Sequence, residues 1–170
     1  MLSLLCGMDP GLQRTGYAVI RLAVGHGDEA PSVVEAGVIR TDARRSLPAR
    51  LAELAAGVAE MLREHRPGLM AVEQLYSHYR HPRTAILMGH ARGVILSAAA
   101  DQGIPVRDYS ATRVKKTLTG RGQASKSQIQ RAIVTTLGLP RAPEPPDVAD
   151  ALAIALCAAW DDRRRSPRAS

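Results

Sequence analysis

Apolar runs and short turns divide the first 40 residues into three segments of strand character. Apolar residues fill most of positions 2–8, and the turn Pro10-Gly11 follows soon after them. Residues 17–22 and 33–40 are predicted as two further strands, separated by a turn rich in Gly and Asp. Short turns between consecutive strands predict an antiparallel meander.

The rest of the chain alternates between helical and strand patterns. Apolar residues recur at helical spacing over 47–65, and Pro67-Gly68 ends that pattern. The segment 69–73 is apolar up to its last residue, which is typical of a central parallel strand. The elements predicted after residue 46 are helix 47–65, strand 69–73, helix 82–101, strand 104–109 and helices 111–118, 126–137 and 147–160.

Four carboxylates interrupt or border the apolar segments. Asp9 follows the first run, Glu73 ends the predicted central strand, and Asp147 and Asp150 open the last helix. A carboxylate in apolar surroundings is costly unless it is paired, protonated or bound to a cation. None of the four has a basic residue beside it in sequence. We therefore predict that they converge in space and bind divalent metal.

Each acid, taken alone, has a simpler interpretation. Asp-Pro-Gly is a common turn sequence, and Asp147 after a proline could be a helix N-cap. Asp150 would then lie in the first helical turn, where the helix dipole favours a carboxylate. Glu73 is harder to explain in this way, because α/β sheets place functional groups at the carboxyl ends of their strands. The occurrence of all four in one chain favours the metal site.

Four carboxylates suit two hard divalent cations. Mg²⁺ is usually held by one or two carboxylates together with waters and substrate phosphate. In such sites two ions lie roughly 3.5–4 Å apart and straddle one phosphodiester. We expect two Mg²⁺ per active site, with Mn²⁺ as a substitute, and in-line hydrolysis that leaves a 5′ phosphate and a 3′ hydroxyl.

The charge balance favours a polyanionic partner. The net charge is +7 and the sequence pI about 10.1, which suits nucleic acid or an acidic membrane surface. Residues 1–160 are predicted to form one domain, and residues 161–170 a disordered basic tail.

The cysteines and the N-terminal segment indicate the compartment. Cys6 and Cys157 lie in apolar runs with no CxxC pattern, so we expect buried thiols and a reducing cytoplasm. The N-terminal apolar stretch breaks at Gly7 and Asp9, so neither a signal peptide nor a membrane span is predicted.

The order of the elements resembles the ribonuclease H-like fold, an α/β fold with a five-stranded mixed sheet flanked by helices on both faces. Several motifs resemble, in the same order along the chain, the RuvC family of bacterial Holliday junction resolvases. They are Gly7 to Tyr17, Val72 to Tyr76, Ala91-Arg92-Gly93-Val94, Lys126-Ser127-Gln128 and Asp147 to Ala155.

The resemblance implies a metal-dependent endonuclease that works as a homodimer. Such an enzyme nicks two opposed strands of four-way junction DNA symmetrically, and its four acids fall on Asp9, Glu73, Asp147 and Asp150. Some members of the family have His where this chain has Asp147. The RuvA–RuvB branch-migration complex is the partner expected from the resemblance, and no membrane association is expected.

The resemblance also implies which residues contact DNA. Tyr76, or Tyr79 close to it, would stack on an unpaired junction base, although a tyrosine at the rim of the site is an equal alternative. Lys115 and Lys126 match family lysines near the scissile phosphate, with a solvated basic surface as the alternative. The residues expected to bind backbone phosphate without reading sequence are Arg80, Arg83, Arg113 and Arg121.

Three histidines and a group of small residues complete the predictions for the middle of the chain. His78, His81 and His90 form no zinc pattern with the cysteines. Gly89, Ala91 and Gly93 would permit close helix contact, and we predict that their helix forms part of the dimer interface.

Two other classes of protein fit part of these observations. The Asp9-Pro10-Gly11 motif followed by Thr15-Gly16 also resembles the phosphate loop of actin and sugar-kinase ATPases, but those proteins need two such domains and lack an acid pair on a late helix. Smaller ribonuclease H-like resolvases share the opening motif. A basic DNA-structure binding module would fit the charge but would not need all four acids.

Overall fold

The computed structural model describes residues 4–22, 30–75 and 82–165. Tyr76, Tyr79 and Arg80, together with His78 and His81, lie outside these described residues. The elements are β1 (Leu4–Asp9), β2 (Arg14–Arg21), β3 (Ser32–Arg40), α1 (Leu47–His65), β4 (Leu69–Glu73), α2 (Pro82–Asp101), β5 (Val106–Tyr109), α3 (Ala111–Thr119), α4 (Lys126–Leu137) and α5 (Pro146–Arg165).

The strands form one five-stranded mixed sheet in the order β3-β2-β1-β4-β5. The predicted meander is confirmed, because β1 pairs antiparallel with β2, and β2 with β3. β4 pairs parallel with both β1 and β5. Three parallel strands therefore end at the same edge of the sheet, with β1 and β4 side by side at its centre.

Helices cover both faces of the sheet, as predicted. Cys6, Met8 and Val72 pack into the apolar cluster formed with α1 and α2. Leu5 and Ala71 pack on the opposite face into the cluster formed with α3, α4 and α5. Side chains alternate between the faces of a strand, so odd-numbered residues of β1 and β4 face α5.

Glycine allows α5 to lie directly on the sheet. A Cβ on Gly7 would lie 2.3 Å from the carbonyl oxygen of Ala151 and 2.6 Å from the nitrogen of Ala155. A Cβ on Gly16 would lie 2.1 Å from the carbonyl oxygen of Asp147. No larger residue fits at either position, so the first two turns of α5 are held against β1 and β2.

The last helix differs from its prediction at its carboxyl end. It ends at Arg165 and not near Trp160. Asp161 pairs with Arg113 of α3, and Asp162 Oδ1 lies 3.5 Å from Arg107 Nη1 of β5. These ion pairs hold the added turn of α5 against its neighbours, so residues 161–165 are helical and not part of a disordered tail.

Smaller differences concern the element ends and α2. β2 begins at Arg14, earlier than residue 17, and β5 begins at Val106, later than residue 104. Ala91, which belongs to the helix predicted to form part of the dimer interface, is itself fully buried in the cluster formed with α1. It belongs to the core because α2 turns this side toward the sheet.

Both cysteines are buried and neither forms a disulfide, as predicted. Among the helices of the described residues, none combines the length and hydropathy needed to cross a membrane.

Candidate active site

Asp9 and Glu73 lie side by side at the carboxyl ends of β1 and β4. The register pairs Met8 with Val72, so the next residue on each strand follows in parallel. Both acids are odd-numbered, so both side chains face α5, and both are half-buried. Their carboxyl groups share a hydrogen bond. The pairing follows from strand alternation together with the parallel register.

The N-terminal turns of α5 bring Asp147 and Asp150 to the same edge. The contact at Gly16 holds Asp147 against the first residues of β2, and Asp150 follows one turn later on the same helix face. Both acids raise the pKa of Asp9 electrostatically, which means that all four carboxylates belong to one site.

Burial and mutual repulsion shift the titration of this site. Burial, followed by the charges of Glu73 and Asp150, raises the pKa of Asp9 from 3.8 to about 8. Burial also raises the pKa of Glu73 and of Asp150, and Lys115 and Lys126 oppose both shifts. Carboxylates that repel one another in a half-buried site are stabilised by a bound cation.

A cavity of about 290 Å³ adjoins the acids. Glu73 and Asp150 line it together with Lys115 of α3, Lys126 of α4 and Gln130 of α4. Its remaining wall is apolar and comes from α3, α4 and α5. The two lysines predicted near the scissile phosphate therefore lie beside two of the four acids.

Thr15 fixes the turn that follows Asp9. Its hydroxyl donates to the carbonyl oxygen of Gly11 at 2.6 Å and accepts from the amide of Gly11 at 3.3 Å. Thr15 itself is fully buried. The turn interpretation of the Asp9 motif is thus correct, and it is compatible with the functional one, because the turn holds the end of β1 in place.

Oxygen ligands from the four acids match the preference of Mg²⁺, which needs only one or two carboxylates per ion. Among the described residues, a different group brings three potential metal-ligand atoms within 4.8 Å of one another. This group consists of Glu35, Glu64 and His65. The Glu35 carboxylate accepts a hydrogen bond from the Tyr17 hydroxyl. Its Oε2 lies 2.9 Å from Nε2 of His65. Tyr17 packs into the cluster formed with α1, so this network is on the opposite face of the sheet.

The predicted phosphate-binding arginines have different surroundings. Arg83 near the start of α2 and Arg121 in the loop before α4 are exposed. Arg113 instead pairs with Asp161, and its guanidinium lies 5.4 Å from the centre of the Tyr109 ring. The contacts of Arg113 are therefore explained by the packing of α3 on α5.

Two cationic residues near the site were not among the predicted site residues. Arg14 Nε lies 3.8 Å from Asp147 Oδ2, and Arg92 of α2 donates to the backbone carbonyl of Glu73. Both belong to the motifs that carry the family resemblance, which was the available signal. Their partners are distant in sequence, so spacing alone did not identify them.

This chain is similar in sequence and in fold to proteins of one known family. Residues 5–158 match the family model described as crossover junction endodeoxyribonuclease RuvC. The protein of that name from Rhodopirellula baltica is 55% identical over 157 residues, covering 91% of this chain and 85% of the relative.

Two solved structures of Thermus thermophilus RuvC also match this chain. One, without a stated ligand, has a TM-score of 0.86 at 35% identity and covers 95% of this chain and 96% of that one. The other, in complex with a Holliday junction substrate, has a TM-score of 0.88 at 34% identity with the same coverage of each chain. The ribonuclease H-like fold prediction is confirmed, and the chain belongs to the RuvC family of crossover junction endodeoxyribonucleases.

Proposed function

We propose that this chain resolves four-way DNA junctions by metal-dependent hydrolysis of phosphodiesters in two opposed strands. The observation that carries the proposal is the convergence of Asp9, Glu73, Asp147 and Asp150 at one sheet edge, beside Lys115 and Lys126. Family membership supports DNA as the substrate, and the net charge of +7 suits a polyanion.

The four acids are the proposed ligands of two Mg²⁺ ions, with Mn²⁺ as a substitute. When bound, such ions lower the pKa of an attacking water and stabilise the leaving 3′ oxygen. Asp9 and Glu73 would act in their ionised forms, because a bound cation offsets the burial and the repulsion that raise the pKa of each carboxyl group. In-line attack would leave a 5′ phosphate and a 3′ hydroxyl.

Lys115 and Lys126 are the proposed contacts to the scissile phosphate. Both line the cavity that Glu73 and Asp150 also line, so a phosphate drawn to the lysines would lie beside the acids. The exposed Arg83 and Arg121 are proposed to bind the DNA backbone outside the site. Arg113 pairs with Asp161 but keeps 51% of its side chain exposed, so its binding to backbone phosphate stays a prediction.

Tyr76, Tyr79 and Arg80 stay predictions for junction binding. They follow Glu73 in the chain, so they would lie near the proposed cleavage site. An aromatic residue stacked on an unpaired base contributes roughly 1–3 kcal/mol. Separate Tyr76→Ala and Tyr79→Ala variants, assayed for junction binding, would identify which tyrosine stacks.

The deciding experiment compares the wild type with Glu73→Gln on a synthetic four-way junction. Junction binding is measured without divalent metal, and nicking is measured with Mg²⁺, with Mn²⁺ and with EDTA. We expect paired symmetric nicks from the wild type with either metal, and binding without nicking from the variant. Tight wild-type binding without nicking under any metal would instead indicate a binding module.

We also propose that the enzyme is a homodimer that meets its partner through the outer side of α2. Ile86 is 60% exposed and Leu87 is 37% exposed. A Cβ at Gly89 or Gly93 would have no neighbour within 4 Å in the monomer. A second copy related by two-fold symmetry would cover this side and place two active sites on opposed strands. Light scattering of an Ile86→Arg variant, which measures its oligomeric state, tests this interface. A variant that dimerises as tightly as the wild type would refute it.

The RuvA–RuvB branch-migration complex is the proposed partner in the cell. The support is family membership. Junction nicking measured with and without RuvA and RuvB tests it, and we expect the complex to change the rate or position of nicking. Identical nicking patterns, together with no co-purification on junction DNA, would remove this partner from the proposal.

A further inference from the structure

We propose that Arg92 is a positioning residue that holds Glu73 in place from the opposite face of the sheet. The inference rests on the proposed function, because it concerns the site where Glu73 would bind metal. Its basis is a contact between α2 and the carboxyl end of β4. Arg92 Nε donates to the backbone carbonyl of Glu73 at 3.4 Å.

The same guanidinium also binds the neighbouring strand. Arg92 Nη2 forms an ion pair with Oδ1 of Asp108 on β5. The register pairs Asp108 with Val72, the residue just before Glu73. One arginine, with 19% of its side chain exposed, therefore spans the ends of two adjacent parallel strands.

Glu73 needs such support because it is the last residue of its strand. The paired positions of β1 and β4 end at Met8 and Val72, so Glu73 is paired only with Tyr109 of β5. On the β5 side, the next amide, of Gln74, donates to the carbonyl oxygen of Tyr109 at 2.9 Å. Arg92 adds a third restraint, directly on the carbonyl of Glu73. The Glu73 side chain points to the other face, so the backbone position decides where its carboxylate lies.

Loss of this support is expected to affect the site more than the fold. A hydrogen-bond partner behind a metal ligand typically contributes 10–100-fold to metal affinity or activity. Small displacements of a reacting group are costly in rate because the reacting atoms must stay aligned. We therefore expect Arg92→Gln to lower the nicking rate about 10–100-fold, with junction affinity changed less than threefold.

The chain offers a matched control at the neighbouring residue of β5. Arg107 also joins β5 to a helix by an ion pair, with Asp162 of α5 at 3.5 Å. No described hydrogen bond connects Arg107 to Glu73. Arg107→Gln thus removes a strand-to-helix ion pair while leaving the direct contact of Arg92 with Glu73 in place.

Two further variants separate the two contacts of Arg92. Asp108→Asn removes the ionic partner but leaves the bond from Nε to Glu73, so we expect a smaller loss than in Arg92→Gln. Arg92→Lys keeps the charge but cannot hold both partners in a fork. We expect its nicking rate to lie between that of the wild type and that of Arg92→Gln. These variants replace Arg92→Gln if it does not fold.

The experiment measures single-turnover nicking of a four-way junction, junction affinity in EDTA, Mn²⁺ affinity by electron paramagnetic resonance, and the unfolding midpoint. Arg92→Gln should lose rate and Mn²⁺ affinity, whereas Arg107→Gln should lose only stability. Wild-type rate and Mn²⁺ affinity in Arg92→Gln would overturn the proposal, as would equal losses in both variants. If the wild type itself nicks no junction, the proposed function fails, and Mn²⁺ affinity alone decides the role of Arg92.

Discussion

Replacing Asp9 with Asn should stabilise the metal-free protein while abolishing its activity. Asp9 lies among three other carboxylates, and burial together with their charges raises its pKa from 3.8 to about 8. Asparagine has nearly the same shape, carries no charge and can still donate a hydrogen bond to Glu73. The substitution therefore removes the electrostatic cost and keeps the packing.

The size of the gain depends on pH in a defined direction. Below about pH 4 the carboxyl is protonated in both folded and unfolded chains, so it contributes no penalty. Between about pH 4 and 8 only the unfolded chain releases the proton, and the wild type loses stability as pH rises. At 1.36 kcal/mol per pKa unit, the full cost above pH 8 is on the order of 5 kcal/mol. The gain from Asp9→Asn should thus be about 1–2 kcal/mol at pH 5 and several kcal/mol at pH 9.

Urea unfolding in EDTA at these two pH values measures the effect. Asp161→Asn is the control, because Asp161 is also an aspartate with restricted exposure but pairs with Arg113. Removing one member of such a pair is destabilising, so the control should change stability in the opposite direction. Added Mg²⁺ should stabilise the wild type, by about 2.7 kcal/mol at one hundred times its dissociation constant, and Asp9→Asn much less. A destabilised Asp9→Asn, or a gain that does not grow with pH, would refute this account of the site.

Three further predictions test the surroundings of the acids. Gly7→Ala should destabilise the fold by about 1–3 kcal/mol, because its Cβ would overlap the backbone of α5; wild-type stability by urea unfolding would contradict the close packing. Lys126→Ala should slow nicking and reduce the salt dependence of junction binding by about one charge, whereas Lys116→Ala, outside the cavity, should leave the nicking rate unchanged. Cys6 and Cys157 should not react with a thiol reagent until the protein unfolds, because both are buried and burial raises the pKa of Cys6 to about 12; rapid labelling of the folded chain would show that the core opens.

Most elements could be predicted from the sequence because their signals are local. The bounds of α1, β4, α2 and α4 match the predictions to the residue. Each has a clear periodic pattern, and proline or glycine marks several of the ends. The placement of Asp9 and Glu73 at strand ends also followed from local pattern, since each comes directly after an apolar run.

The errors occurred where distant residues decide the outcome. The run of acids and arginines after Trp160 resembles a solvated tail, yet Asp161 and Asp162 pair with Arg113 and Arg107 and extend α5. The small residues of α2 also do not indicate which side of the helix faces the core, and only the packing against α1 shows that Ala91 is buried.

The sequence by itself determined the type of each segment and the four acids, because side-chain alternation and helical periodicity depend on neighbouring residues. Only the tertiary structure decided which groups surround those acids. The approach of α5 at Gly7 and Gly16, the pairing of Arg14 with Asp147 and the support of Glu73 by Arg92 all join segments far apart in the chain. Such contacts depend on how the elements pack, and no local pattern specifies that.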